Sequence, residues 1–105
     1  MTDRELLELA AKAANLQIKW DDQNQTYATC NAHGNMFDDW DPLNDDGDAF
    51  RLAVKIGIDI GWGWDENNKP SIVLIYEHVV DLGNDPYAAT RRAIVRAAAE
   101  IGREK

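Results

Sequence analysis

Between Ile58 and Val80 the chain reads IDIGWGW, then DENNKP, then SIVLIYEHVV. The first block sets Ile58, Ile60, Trp62 and Trp64 against Asp59, Gly61 and Gly63, the period-two pattern of a half-buried strand. The last block, Ser71 to Val80, is the most β-prone run in the chain and is expected to form one strand. The residues between them are turn formers. An antiparallel hairpin follows, and an isolated hairpin is marginal in water, so the rest of the chain must cover it.

Helical segments are available for that cover. Thr2-Asp3-Arg4-Glu5 fits a capping box, and Leu6, Leu7, Leu9, Ala10, Ala13 and Ala14 then recur at helical spacing, so residues 3–14 are expected to be a helix ending at Asn15. Leu16, Ile18 and Trp20 alternate with Gln17 and Lys19, and Thr26 to Cys30 makes a β-prone partner across DDQNQ, giving another hairpin. NAHGN (31–35) is a further turn. Ala49, Phe50, Leu52, Ala53, Val54 and Ile56 predict a short helix stopped by Gly57. Asp85-Pro86 reads as the cap and first residue of a helix carried to about Gly102 by Ala89, Ala93, Ile94, Val95, Ala97, Ala98 and Ile101. The expected order is α-β-β-α-β-β-α: one small α+β domain, an antiparallel sheet with helices packed on it as a sandwich.

A length of 105 residues suits one domain, and a hydrophobic share of 45% with four tryptophans argues against disorder. No apolar run is long enough to span a membrane, and acidic residues interrupt the N-terminal segment, which does not read as a signal peptide. The single cysteine, Cys30, excludes an internal disulfide and fits a reducing, cytoplasmic setting. A net charge of −8 argues against direct binding to a phosphate backbone. That charge is uneven. Residues 15–48 hold eight aspartates against one lysine, whereas residues 86–105 hold five basic residues against two acids. Self-association between these two surfaces, as a homo-oligomer, is compatible with the split.

The acidity peaks in DDWDPLNDDGD, residues 38–48. A calcium loop aligned on Gly47 would place Pro42 and Ala53 at the first and last ligand positions, so the bidentate carboxylate is missing and no metal site is expected. A helix entrance fits better. Asn44 can cap, and Asp45, Asp46 and Asp48 then oppose the helix dipole, at about 0.3–1 kcal/mol each. Asp38, Asp39 and Asp41 are left over. They flank Trp40, which amid so many acids is expected to be an exposed or semi-exposed ring, and the four form a candidate binding surface.

Trp62 and Trp64 are expected to face the helix layer as core, although the bare glycine face opposite them would admit a ligand or another backbone. Arg91, Arg92 and Arg96 share the last helix; Arg92 and Arg96 lie one turn apart and suit an acidic or phosphate group, or a pairing with Glu100. His33 is expected to be solvated in its turn and His78 to pair with an acid. No nucleophile–base arrangement, phosphate loop or cofactor motif is present, so no enzyme activity and no cofactor are expected.

WDPLNDDGDAFRLAVKIGIDI (40–60) and YAATRRAIVRAAAEIG (87–102), preceded by MTDRELLELAAKAA, resemble small uncharacterised proteins of tailed phages and prophages of enteric bacteria. They are also similar to the phage α/β/α sandwich domain, whose pattern joins a Trp-Asn-Pro start, a central helix and a C-terminal helix rich in Ala and Arg. Asp41 stands where that pattern has Asn, and Asn44 where it has Thr. The resemblance covers roughly half of the chain and brings no catalytic residues. It implies a phage-encoded accessory protein acting in the host cytoplasm.

The leading expectation is therefore a non-enzymatic protein that binds a host protein, one used in defence or replication. Its alternatives are a binder of small, nucleotide-like molecules, held by tryptophan stacking and the Arg91, Arg92 and Arg96 group, and an acidic mimic of nucleic acid.

Overall fold

In the computed structural model, which describes residues 1–75 and 78–105, the Thr2 hydroxyl accepts the Glu5 N–H at 3.1 Å and the Glu5 carboxylate accepts the Thr2 N–H at 3.4 Å. This capping box starts α1, Asp3–Ala13. Ala14, not Asn15, forms the C-cap, so the helix ends one residue earlier than expected and Asn15 follows it in the left-handed region at φ 57°. The chain then runs through β1 (Ile18–Asp21), β2 (Thr26–Cys30), β3 (Met36–Trp40), α2 (Asp46–Ile56), β4 (Ile60–Trp64), β5 (Pro70–Ile75), β6 (His78–Asp81) and α3 (Pro86–Arg103).

The chain is α+β, with the three helices and both hairpins where the sequence puts them, and with a third strand added to each hairpin. The strands form two antiparallel sheets, β1-β2-β3 and β4-β5-β6. β3 has no apolar alternation of its own, since Asp38 and Asp39 occupy its middle. The run expected as one strand from Ser71 to Val80 folds back on itself, with Ile75 opposite His78 and Val73 opposite Val80. Tyr76 and Glu77, included in that expectation, lie outside the described residues.

α1 and α3 form the centre. Their shared face is made of small residues, Ala10, Ala11, Ala13 and Ala14 against Ala93, Ala97, Ala98, Ala99 and Gly102. Small side chains let helix backbones approach closely. Gly102 is required there, because a β-carbon would stand 1.9 Å from the Leu9 carbonyl oxygen. Lys105 closes the pair by donating from Nζ to the Ala13 carbonyl at 3.0 Å. α2 packs on α3, and α3 also lies over β5 and β6.

Three caps correct or confirm expectation. Asp45, not Asn44, caps α2: its carboxylate accepts the Asp48 N–H at 2.7 Å, while the Asn44 side chain turns back to donate to Asp41 at 2.8 Å. Asp85 caps α3 with Pro86 in its first turn, as the sequence reads, and Gly57 ends α2 at φ 69°.

Candidate functional site

The acidic stretch divides between a strand, a turn and a helix. In β3, register places Trp40 opposite Tyr27, and Tyr27 opposite Trp20, so three rings lie across one face of the first sheet. Trp40 is therefore only 5% exposed, which overturns its reading as an exposed or semi-exposed ring. The acids around it do not keep it in water, because side chains alternate faces along β3 and Asp39 points away from the core.

α1 closes over this aromatic row. Arg4 stacks on Trp20 with its guanidinium carbon 3.9 Å from the ring centroid, and the Tyr27 hydroxyl donates to Glu8. Burial, then the Glu8 hydrogen bond, pushes the Tyr27 phenol above its ordinary range, with Arg4 opposing in part.

Asp48 is the carboxylate that organises the turn. It is 9% exposed, accepts the Asp41 N–H at 2.9 Å with one oxygen and receives Arg51 at 2.7 Å with the other. The Asp48 hydrogen bond, aided by nearby acids and opposed by desolvation, raises the Arg51 guanidinium above its already high range. Asp38 and Asp39 are exposed and line a cavity of about 480 Å³ together with Thr29, Asp48, Arg51 and Lys55. Asp41 is half-buried and engaged in the turn. Of the four residues grouped by sequence, Asp38 and Asp39 reach the surface, while Trp40 and Asp41 build the scaffold beneath.

The arginines separate in the same way. Arg91 donates from Nε to the Leu43 carbonyl at 2.9 Å and pairs with Asp46 at 2.6 Å. Arg92 reaches both oxygens of Asp3, at 3.1 and 3.2 Å. These two tie α3 to the acidic first turns of α2 and α1, so the basic helix and part of the acidic middle meet within one chain. Glu100, an expected partner of Arg96, instead pairs with His78 at 2.8 Å. Arg96 lines a groove of about 440 Å³ with Arg103 above an apolar floor that includes Leu6, Ile75 and Val80. No tryptophan lines that groove, so the tryptophans and these arginines do not converge on one ligand there.

The remaining two candidates stand elsewhere. Trp62 and Trp64 are 47% and 64% exposed, against the expectation that they are core. The strand period gives the face correctly but not its cover. Trp62 lies opposite Val73, on the same face as Val73 and Ile75, both essentially buried. α3 lies over β5 and β6, and β4 is the edge strand beyond β5. The rings therefore leave the shelter of the helix one strand out. On the opposite face Gly63 makes room for Ile72, whose side chain would be 2.5 Å from a β-carbon at that position, and Gly61 faces open space.

The sequence missed what distinguishes β4 from the other sheet edges. Among the described residues the edge strands are β1, β3, β4 and β6, with sequences IKWD, MFDDW, IGWGW and HVVD. Charged side chains or proline on an edge discourage pairing with another chain. β4 alone of the four holds no ionisable residue and no proline. That signal was present in the sequence, but reading it required knowing which strands are edges.

Among the described residues no group of three or more His, Cys, Asp or Glu side chains is placed to hold a metal ion, and no helix is long and apolar enough to cross a membrane. Compared with family models, curated proteins and solved structures, the chain matches none of them.

Proposed function

We propose that this chain is a non-enzymatic binding module that acts by occupying a surface of another protein, with β4 as its contact. The observation that carries this reading is the exposure of Trp62 and Trp64 side by side on an edge strand. Tryptophan is rare on surfaces that contact only water and common at the centres of interfaces, where truncating one can cost upwards of about 2 kcal/mol of binding. The resemblance of residues 40–60 and 87–102 to phage proteins supplies the setting: a phage-encoded accessory protein and a host factor in the cytoplasm.

The test is capture from a host lysate with the wild-type chain, a Trp62→Ala/Trp64→Ala double variant and a Phe50→Ala control. Phe50 is as exposed as Trp64 but stands on α2. A partner retained by wild type and control and lost by the double variant is the expected result. Retention by all three removes β4 from the function.

A second reading has one observation in its favour, the 440 Å³ groove between Arg96 and Arg103. Its volume and apolar floor suit a small molecule, and Arg96 and Arg103 would meet an anionic group on it, beside a Glu100 carboxylate engaged by His78. Thermal shifts against a nucleotide panel, lost on Arg96→Ala, would support it; no shift with any member would dismiss it.

A further inference from the structure

The hydrogen-bond pattern of the second sheet fixes which way the β4 backbone faces. The Leu82 N–H donates to the Ser71 carbonyl at 2.9 Å, so Ser71 turns its polar groups toward β6. Backbone groups alternate sides along a strand, so Val73 and Ile75 also turn to β6, and Ile72 and Leu74 turn to β4. Their register partners are Gly63 and Gly61, which must turn inward to meet them. Ile60, Trp62 and Trp64 are left with N–H and C=O groups directed away from β5, along the open edge. This is consistent with the hairpin loop, where the Asp65 N–H turns back to the Lys69 carbonyl at 2.9 Å.

Three properties therefore coincide on β4. Its outward backbone groups belong to the residues carrying Ile60, Trp62 and Trp64, its Gly61 position offers open space on the other face, and no charge within it opposes pairing. We infer that β4 binds by strand addition, accepting an extended segment of another protein as a fourth strand of the sheet. The inference rests on the reading of β4 as the contact surface and specifies how that contact is made. Main-chain bonds would supply affinity, and side chains of the added strand would pack beside Trp62 and over Gly61.

Charge identifies the occupant. Asp59 precedes β4, and Asp65 and Glu66 follow it, three acids against Lys69 across residues 59–70. A segment with apolar or small residues at its centre and Lys or Arg at its ends complements that distribution. A second copy of this chain does not. The antiparallel register that pairs all three outward residues of both copies sets Asp59 opposite Asp65 at each end, and directly opposed like charges destabilise a strand pair.

The test uses the full chain and short, end-blocked peptides of alternating valine and threonine with lysines at both ends. Two isomers carry N-methyl groups on one or the other alternate set of residues, and a third version carries glutamates at its ends. Binding is followed from amide shifts in nitrogen–proton spectra. The lysine-ended peptide is expected to shift Ile60, Trp62 and Trp64, and to bind at least about tenfold more tightly than the glutamate-ended one. One N-methyl isomer should lose at least about tenfold in affinity while the other retains it, because only alternate amides face β4. Equal affinity of the two isomers, or no shift at those residues with millimolar peptide, overturns strand addition. If partner capture still depends on Trp62 and Trp64, that result leaves β4 as a contact made through side chains alone. Capture indifferent to both tryptophans takes down both conclusions.

Discussion

The two sheets have the same size, the same antiparallel order and two tryptophans each, yet they treat those rings oppositely. In the first sheet Trp20 is half-buried beneath Arg4 and Trp40 is buried opposite Tyr27. In the second, Trp62 and Trp64 stand open to solvent. Neither residue type nor strand period separates the pairs. The separation comes from the helices: α1 reaches over the aromatic row with Arg4 and Glu8, whereas α3 covers β5 and β6 and stops short of β4. Large apolar rings stabilise a fold only where a neighbour removes them from water, and elsewhere they remain available for a partner.

The largest effect that tests this contrast is on stability. Trp40→Ala is expected to cost about 3–5 kcal/mol, in the range of large-to-small changes in a packed core, whereas Trp64→Ala should stay within about 0.5 kcal/mol. Urea denaturation of the two variants measures both, and equal losses would erase the distinction between the sheets.

Asp48 comes next. Asp48→Ala removes the acceptor of the Asp41 N–H and is expected to cost about 1–3 kcal/mol by the same assay. Arg51, mostly exposed, should lose much less on Arg51→Ala. A larger loss for Arg51 would mean that the ion pair, not the turn, is what Asp48 maintains.

The third effect depends on pH. The Tyr27 phenol is raised above its ordinary value near 10 by burial and Glu8, so the fold favours the neutral form. Its contribution is fully present below about pH 10, the unfolded value, and is lost as pH rises through the higher folded value. Melting temperature followed into alkaline solution should fall for the wild type. The fall should be smaller in Tyr27→Phe, and identical curves would show that the row is not sealed by α1.

The smallest effect is optical. Acrylamide should quench most of the accessible tryptophan emission in the wild type and little of it in Trp62→Phe/Trp64→Phe. Unchanged quenching in that double variant would place the accessible rings in the first sheet.

What was legible in the sequence follows the range of the interactions. The caps of α1 and α3 and the Gly57 stop of α2 are written within a few residues, in Thr2 with Glu5, in Asp85-Pro86 and in a glycine with positive φ, and they were read. β3 was not, because it is a strand by virtue of pairing with β2: Asp39 opposite Ala28 and Trp40 opposite Tyr27. The α2 cap slipped by one residue because Asn44 and Asp45 are both competent, and the choice falls to Asp41, which engages the Asn44 side chain. The exposures of Trp40 and Trp62 are the reverse of what the sequence suggests. Strand period assigns a face, but the extent of a packed helix decides whether that face is covered. Of the arginine cluster, Arg91 and Arg92 proved to be ties between helices because their acidic partners, Asp46 and Asp3, lie far away in the chain.

Amide hydrogen exchange of the free protein, resolved residue by residue, tests the open edge most directly. Ile60, Trp62 and Trp64 should exchange at close to unfolded rates, while Gly61 and Gly63, which face β5, should be slowed by about a hundredfold or more. Comparable protection at all five residues would mean that the edge is already occupied, and would contradict the account of β4 as a strand waiting for a partner.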